Sequence, residues 1–224
     1  MPIQPLHRRV ARIALRAARR YGVALAGGNA LQVHGLVDRY TEDVDLFTDQ
    51  EGTFHDAAVA VETALRAAGF TPEPLDTTGV LAAGVWDGMD GLAEWQVTDG
   101  DETMAVQLAF FERLRAPVQV RNLGPVLSLE DIVAGKAAAL ASRAYVRDFV
   151  DMAQILGTFT VDQVIGFARQ LDPGLEDADF ADAGLRLDQM DDLAFARYGL
   201  GAGDVARLRE QFTSWPRTAP PRGG

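Results

Sequence analysis

Cysteine is absent from the 224 residues, so the chain has neither a disulfide nor a thiolate metal site. No apolar run approaches the roughly 20 residues that a membrane-crossing helix needs. The arginine-bearing start of the chain also lacks the apolar core and small-residue cleavage site of a secretory signal. The expected setting is the cytoplasm, with no membrane partner. Histidine is scarce: His7, His34 and His55 are the only three, and none lies near another in sequence. Lysine is scarcer, because Lys136 is the only one. A coding bias toward arginine would fill surface positions without penalty. A site that needs a compact ammonium group does not accept a planar guanidinium freely, so a lone lysine is a candidate for a required one.

Positive charge is in the minority as well. The net charge of -11 argues against non-specific nucleic-acid binding but leaves room for a local basic patch. One candidate patch is the helix expected over residues 7–20. Its apolar stripe of Val10, Ile13, Leu15 and Ala17 is flanked by Arg8, Arg9, Arg12, Arg16, Arg19 and Arg20. That face is either simply solvated or a set of phosphate contacts.

The chemistry concentrates in two short stretches. Gly27-Gly28-Asn29 follows a short apolar strand (residues 23–26) and opens a helix over residues 30–34. A Gly-Gly turn at a helix N-terminus offers backbone N–H groups to an anion. A second apolar strand then carries Asp43 and Asp45, with Val44 and Leu46 between and after them. Residues i and i+2 of a strand share a face, so the two carboxylates project together and repel unless a cation lies between them. Such an oxygen pair suits Mg²⁺, which completes its shell with water and substrate phosphate. A phosphate cradle beside a carboxylate pair is the apparatus of nucleotidyl transfer.

Gly27-Gly28-Asn29-Ala30-Leu31 and Arg39-Tyr40-Thr41-Glu42-Asp43-Val44-Asp45-Leu46 together resemble the signature of the AbiEii-type nucleotidyltransferases. These are toxins of type IV toxin–antitoxin systems within the DNA polymerase β-like superfamily. That family usually has Ser or Thr where Asn29 stands, and an Asn amide can still donate to phosphate. Leu129 to Leu140, with Lys136, resembles a second family signature. The run from Arg143 to Asp151 matches its Arg-Asp-x-x-Asp motif. The resemblance implies that Asp43 and Asp45 hold the metal, and that Gly27, Gly28, Asn29, Arg39 and Thr41 bind nucleotide phosphates. It also implies that Lys136 and Asp151 are catalytic, with Asp148 as the close competitor of Asp151. The superfamily commonly places a third carboxylate on a neighbouring strand. Here Gln107 occupies that polar slot, which leaves two carboxylates from the sheet.

Asp-Gly turns at residues 87–88, 90–91 and 99–100 separate apolar runs over residues 80–86, 92–98, 104–111 and 118–120, the pattern of hairpins. The expected fold is α/β (α+β): a nucleotidyltransferase-like mixed sheet with flanking helices over residues 1–125, a C-terminal helical region over 126–215, and a frayed tail over 216–224. Helices are expected over 53–68, from 128 through 140, and over 161–171, 187–198 and 202–212, with the acidic residues 176–182 as solvated surface. The functional expectation is Mg²⁺-dependent transfer of a nucleoside monophosphate from an NTP to an acceptor. The resemblance implies tRNA as acceptor and a cognate antitoxin as partner. Modification of a protein or small molecule, or an inactive nucleotide-binding module, are the alternatives.

Overall fold

The computed structural model describes residues 3–37, 39, 41–75 and 91–219. The strand expected over 80–86, the turn at 87–88, Asp90, Tyr40 and residues 220–224 of the tail lie outside the described residues. The chain divides into two compact units, Met1–Leu129 and Glu130–Gly224.

The first unit holds a seven-stranded mixed sheet. Its strands are β1 (Ala24–Leu25), β2 (Asp43–Thr48), β3 (Thr71–Pro74), β4 (Leu92–Asp99), β5 (Glu102–Phe110), β6 (Val118–Val120) and β7 (Gly124–Val126). Their spatial order is β3-β4-β5-β2-β1-β7-β6. The middle strand, β2, runs parallel to β5 and antiparallel to β1. Strict alternation decides which side chains go inside. Val44, Leu46 and Thr48 of β2, Val106 and Leu108 of β5, and Trp95 and Val97 of β4 are buried on one face. The helices α1 (Pro5–Ala17) and α3 (Phe54–Ala67) belong to the same unit. Trp95 Nε1 donates to Glu62 of α3 at 3.3 Å, so α3 covers that apolar face.

Helix α1 buries Val10, Ala11, Ala14 and Leu15, the spacing of one helical face. It begins two residues earlier than expected, at Pro5, because proline is well tolerated in a first helical turn. A short 3-10 turn over Arg19–Tyr21 follows, and Gly22 closes it with φ +67°. Among the described residues, two of the arginines hold aromatic rings of the same unit. Arg9 stacks over the Phe70 ring and pairs with Asp99 at 3.1 Å, and Arg20 lies over Tyr21. Thr53 stands at the N-cap position of α3, but its hydroxyl donates to Gln50 O at 3.4 Å rather than capping the helix.

The second unit is helical: α4 (Leu129–Arg143, entering from the first unit's last residue), α5 (Val146–Leu156), α6 (Val161–Leu171), α7 (Asp177–Gln189) and α8 (Ala202–Gln211). Residues 176–182 open α7, with Glu176, Asp177 and Asp182 exposed as expected and Phe180 and Ala181 buried. Acidic residues favour a helix N-terminus through its dipole. Phe180, Ala183, Gly184 and Leu187 supply a buried face that the acidic composition conceals. The helix expected over 187–198 is accordingly split, with a 3-10 segment over Asp192–Tyr198. Aromatic rings hold the unit together: Phe149 meets Phe212 at 5.6 Å, and Trp215 meets Phe212 at 5.4 Å and Phe180 at 6.2 Å. The chain beyond α8 is tied down through Arg217, which forks onto Asp188 at 2.8 and 3.0 Å and donates to Phe212 O and Trp215 O. That hydrogen bond holds the Asp188 carboxyl below its usual range.

Candidate active site

In the first unit, α2 (Gly27–Val33) starts where β1 ends, and β2 lies beside both. Ala26 N donates to Asp45 O at 2.8 Å, which locks the turn to the carboxylate strand. Asp43 and Asp45 are half-buried and share the face opposite Val44 and Leu46. Gly27 adopts φ +57°, and a Cβ there would overlap the Asp45 carboxylate and stand 2.8 Å from Asp45 Cβ. At Gly28 a Cβ would stand 2.9 Å from Thr41 Oγ1 and 3.5 Å from Arg39 Nη2. The two glycines therefore let Asp45, Thr41 and Arg39 close directly onto the start of α2. The first N–H groups of a helix have no intrahelical acceptor, so they remain available at this point.

Asn29, the third residue of the turn, lies deep beside the carboxylate strand. It is 1% exposed, and its Nδ2 donates to Asp43 O at 2.6 Å. Its amide braces the start of β2 through one of its two N–H donors. Thr41 is buried, and its Oγ1 has no hydrogen-bond partner among the described residues. Arg39 is half-buried, and its carbonyl accepts from Gln32 Nε2 at 2.5 Å.

The register of the sheet settles where Gln107 points. Asp45 lies directly across from Gln107, and Gln107 directly across from Glu94. Gln107 Nε2 donates to Glu94 Oε1 at 2.8 Å. The row Asp45–Gln107–Glu94 thus crosses three adjacent strands on one face. The nearest further carboxylate of this row, Glu94, stands one strand beyond the expected slot and is bonded to Gln107, so the third-carboxylate slot itself holds Gln107 as expected. The signal for Glu94 was in the sequence, because the tight turn that pairs Asp99 with Glu102 also pairs Glu94 with Gln107. His7 is a second residue that sequence reasoning passed over. Burial pushes its imidazole below the ordinary value, against the raising pull of the Asp43 and Glu102 carboxylates.

In the second unit, Lys136 Nζ pairs with Asp151 Oδ2 at 2.7 Å, joining α4 to α5. The lysine side chain is 16% exposed and the aspartate fully buried. Asp148 is also fully buried but serves the Arg143 guanidinium, which forks onto it at 3.0 and 3.1 Å. Its Oδ2 also accepts from Tyr145 N at 3.2 Å. The two aspartates of the motif therefore have different partners: Asp151 takes the lone lysine, and Asp148 clamps the α4–α5 turn. Replacing Asp148 with alanine removes charge-assisted bonds and a helix-entry acceptor together. It is expected to lower the unfolding free energy by about 2–3 kcal/mol in urea denaturation. A loss below about 1 kcal/mol would mean that the turn is held by something else.

These donor sets fit a divalent cation and a phosphate. Among the described residues no group of three or more His, Cys, Asp or Glu side chains could hold a metal ion. A pair of carboxylates such as Asp43 and Asp45 is within what Mg²⁺ ordinarily takes, since it accepts one or two carboxylates and fills the rest of its shell with water and phosphate oxygen. The missing Cβ of Gly28 and the unpartnered Thr41 hydroxyl beside it fit an anion at the start of α2.

Comparison with known proteins bears on the same residues. The sequence matches the family described as "Nucleotidyl transferase AbiEii toxin, Type IV TA system" over residues 10–211. No curated protein matches it. Among the solved structures that share its fold are three nucleotidyltransferase-fold proteins. A candidate nucleotidyltransferase from H. pylori is 15% identical, with a TM-score of 0.57, over 92% of this chain and 91% of that one. JHP933 from Helicobacter pylori is 14% identical, with a TM-score of 0.55, over 93% and 91%. The nucleotidyltransferase toxin MenT4 from Mycobacterium tuberculosis H37Rv is 18% identical, with a TM-score of 0.56, over 93% and 82%.

Proposed function

Because the chain belongs to the AbiEii family of nucleotidyltransferase toxins, we propose that it moves a nucleoside monophosphate from an NTP to tRNA and is restrained by a cognate antitoxin. The observation that carries the reading is the Asp43/Asp45 pair packed against the Gly27-Gly28 turn without an intervening Cβ. Nucleotidyltransferases of this kind use a divalent metal. Asp43 and Asp45 would hold Mg²⁺, which when bound neutralises phosphate charge and orients the triphosphate. The backbone N–H groups of Gly27 and Gly28 and the Thr41 hydroxyl bind phosphate oxygens, and Arg39 adds positive charge at the same turn. Asn29 acts through Asp43, whose backbone it holds. Lys136 supplies the point charge that stabilises the leaving phosphate oxygens, and Asp151 orients it and assists the attacking hydroxyl. The NTP pool and tRNA needed for this reaction make the cytoplasm its setting. No helix among the described residues is long and apolar enough to cross a membrane.

The net charge of -11 favours a second reading in which the acceptor is a protein or small molecule. One experiment separates the two. The protein is incubated with α-labelled NTPs, Mg²⁺, total tRNA and a cell extract. Label is expected on tRNA, and its appearance should require both Mg²⁺ and Asp43. Label on protein instead, or transfer undiminished in Asp43→Asn, would overturn the proposal.

A further inference from the structure

The turn between α4 and α5 presents an aromatic ring that the roles assigned to Lys136 and Asp151 do not use. Tyr145 is 58% exposed, although it follows buried Ala144 and stands three residues before the buried run Asp148, Phe149 and Val150. The ring is displayed rather than merely left out. Ala144 before it takes φ +48°, a left-handed conformation that an alanine adopts only under constraint, and its own side chain is buried. Tyr145 N is held by Asp148 Oδ2. The Arg143 guanidinium, fixed by its fork onto Asp148, lies 5.2 Å from the centre of the Tyr145 ring. The ring therefore rests on a rigid cation and has little freedom left to lose when something stacks on it.

Two further cations adjoin this turn. Arg147 is exposed at the start of α5. Arg186 of α7 donates to Arg143 O at 3.2 Å. Among the described residues neither makes an ion pair with a carboxylate. In a chain of net charge -11, two uncompensated guanidinium groups around one displayed aromatic ring are complementary to a nucleotide: a base on the ring and phosphates on the arginines. The cations stand on two different helices. A strand carries phosphates on both sides of each base, whereas a free NTP carries all of them at one end.

We propose that Tyr145, backed by Arg143 and flanked by Arg147 and Arg186, is a stacking platform for one nucleotide of a single-stranded RNA acceptor. The inference rests on the reading above that the acceptor is RNA, and it adds where the strand is gripped. Binding of a fluorescein-labelled single-stranded RNA of about twelve nucleotides to the full chain is measured by anisotropy at several salt concentrations, beside KM for the NTP. Tyr145→Ala is expected to weaken RNA binding by about five- to a hundredfold, the range for one lost base stack. Tyr145→Phe and Tyr145→Trp should stay within about twofold of the parent, because stacking needs a π-face and not a hydroxyl. Arg147→Ala and Arg186→Ala should each flatten the salt slope by about 0.7, one single-strand phosphate apiece. KM for the NTP should not move. If the parent labels and binds RNA while Tyr145→Ala binds it equally well, the platform is wrong and the RNA reading survives. A rise in KM for the NTP with RNA binding unchanged would put the nucleotide substrate on the ring and overturn the proposal. A parent protein that neither binds nor labels RNA would remove both readings together.

Discussion

Replacing Gly27 with alanine should stop transfer and destabilise the first unit, and removing the Asp45 side chain should then restore stability without restoring the reaction. Two costs combine at this position. An L-residue held at φ +57° pays about 1–2 kcal/mol for the left-handed conformation. The new Cβ also overlaps the Asp45 carboxylate, and forcing a side chain out of a packed site costs about 1–3 kcal/mol more. Only the second cost depends on Asp45. In a double-mutant cycle, Asp45→Ala placed on Gly27→Ala should recover about 1–3 kcal/mol, leaving the backbone strain. Urea denaturation of the four proteins measures this. Transfer should be absent in all three variants, since the carboxylate is either displaced or deleted. Additive stabilities would mean that Gly27 is required only for its backbone and that Asp45 does not pack on the turn.

Lys136→Arg should retain the fold and lose turnover by about a hundred- to a thousandfold, the usual cost of one electrostatic contact at a developing charge. The ammonium group sits 2.7 Å from a fully buried carboxylate with little of its side chain exposed. A guanidinium is larger and planar, and cannot place a point charge in the same spot. It still neutralises Asp151, so stability should change by under about 1.5 kcal/mol. Lys136→Ala is the wrong probe of chemistry. It takes the paired cation from a buried aspartate, a change that costs about 3–5 kcal/mol in stability and would lower activity for that reason alone. In Lys136→Arg, kcat should fall much further than KM for the NTP rises, because a contact that strengthens in the transition state shows in turnover. Wild-type turnover in that variant would make the sole lysine an accident of composition and leave the leaving-group charge to another cation.

Much of the site was legible because strands have a period of two. Asp43 and Asp45 had to share a face whatever the rest of the chain did, and Val44 and Leu46 had to fill the core. The reason for Gly27 was not legible, since it depends on a carboxylate eighteen residues away in sequence folding back onto the turn. Asn29 illustrates the same limit. Its amide chemistry was legible, but the bond it makes to the Asp43 backbone, fourteen residues on, was not. Spacing could not separate Asp148 from Asp151 either, because residues three apart share a helix face and both are buried. What distinguishes them is which cation arrives, Arg143 from the end of α4 or Lys136 from its middle. Helix α7 was hidden by its acidity, because aspartates at 177, 179 and 182 read as solvent-facing while Phe180 and Ala181 between them, and Ala183 after them, carry the buried face.

The central place of β2 also governs when the carboxylate face can exist. Asp45 meets Gln107 across roughly sixty residues of chain, and Leu25 meets Val126 across roughly a hundred, so both pairings close long loops before they return any energy. Sheets dominated by such distant partners form late and slowly. During synthesis the first carboxylate strand emerges from the ribosome well before its parallel neighbour, and the nascent segment has only the antiparallel β1 to pair with. The face that carries Asp43 and Asp45 therefore gains its parallel neighbour only once β5 has been made, and a chain truncated before β5 has the two carboxylates but not the strand whose Gln107 pairs across from Asp45.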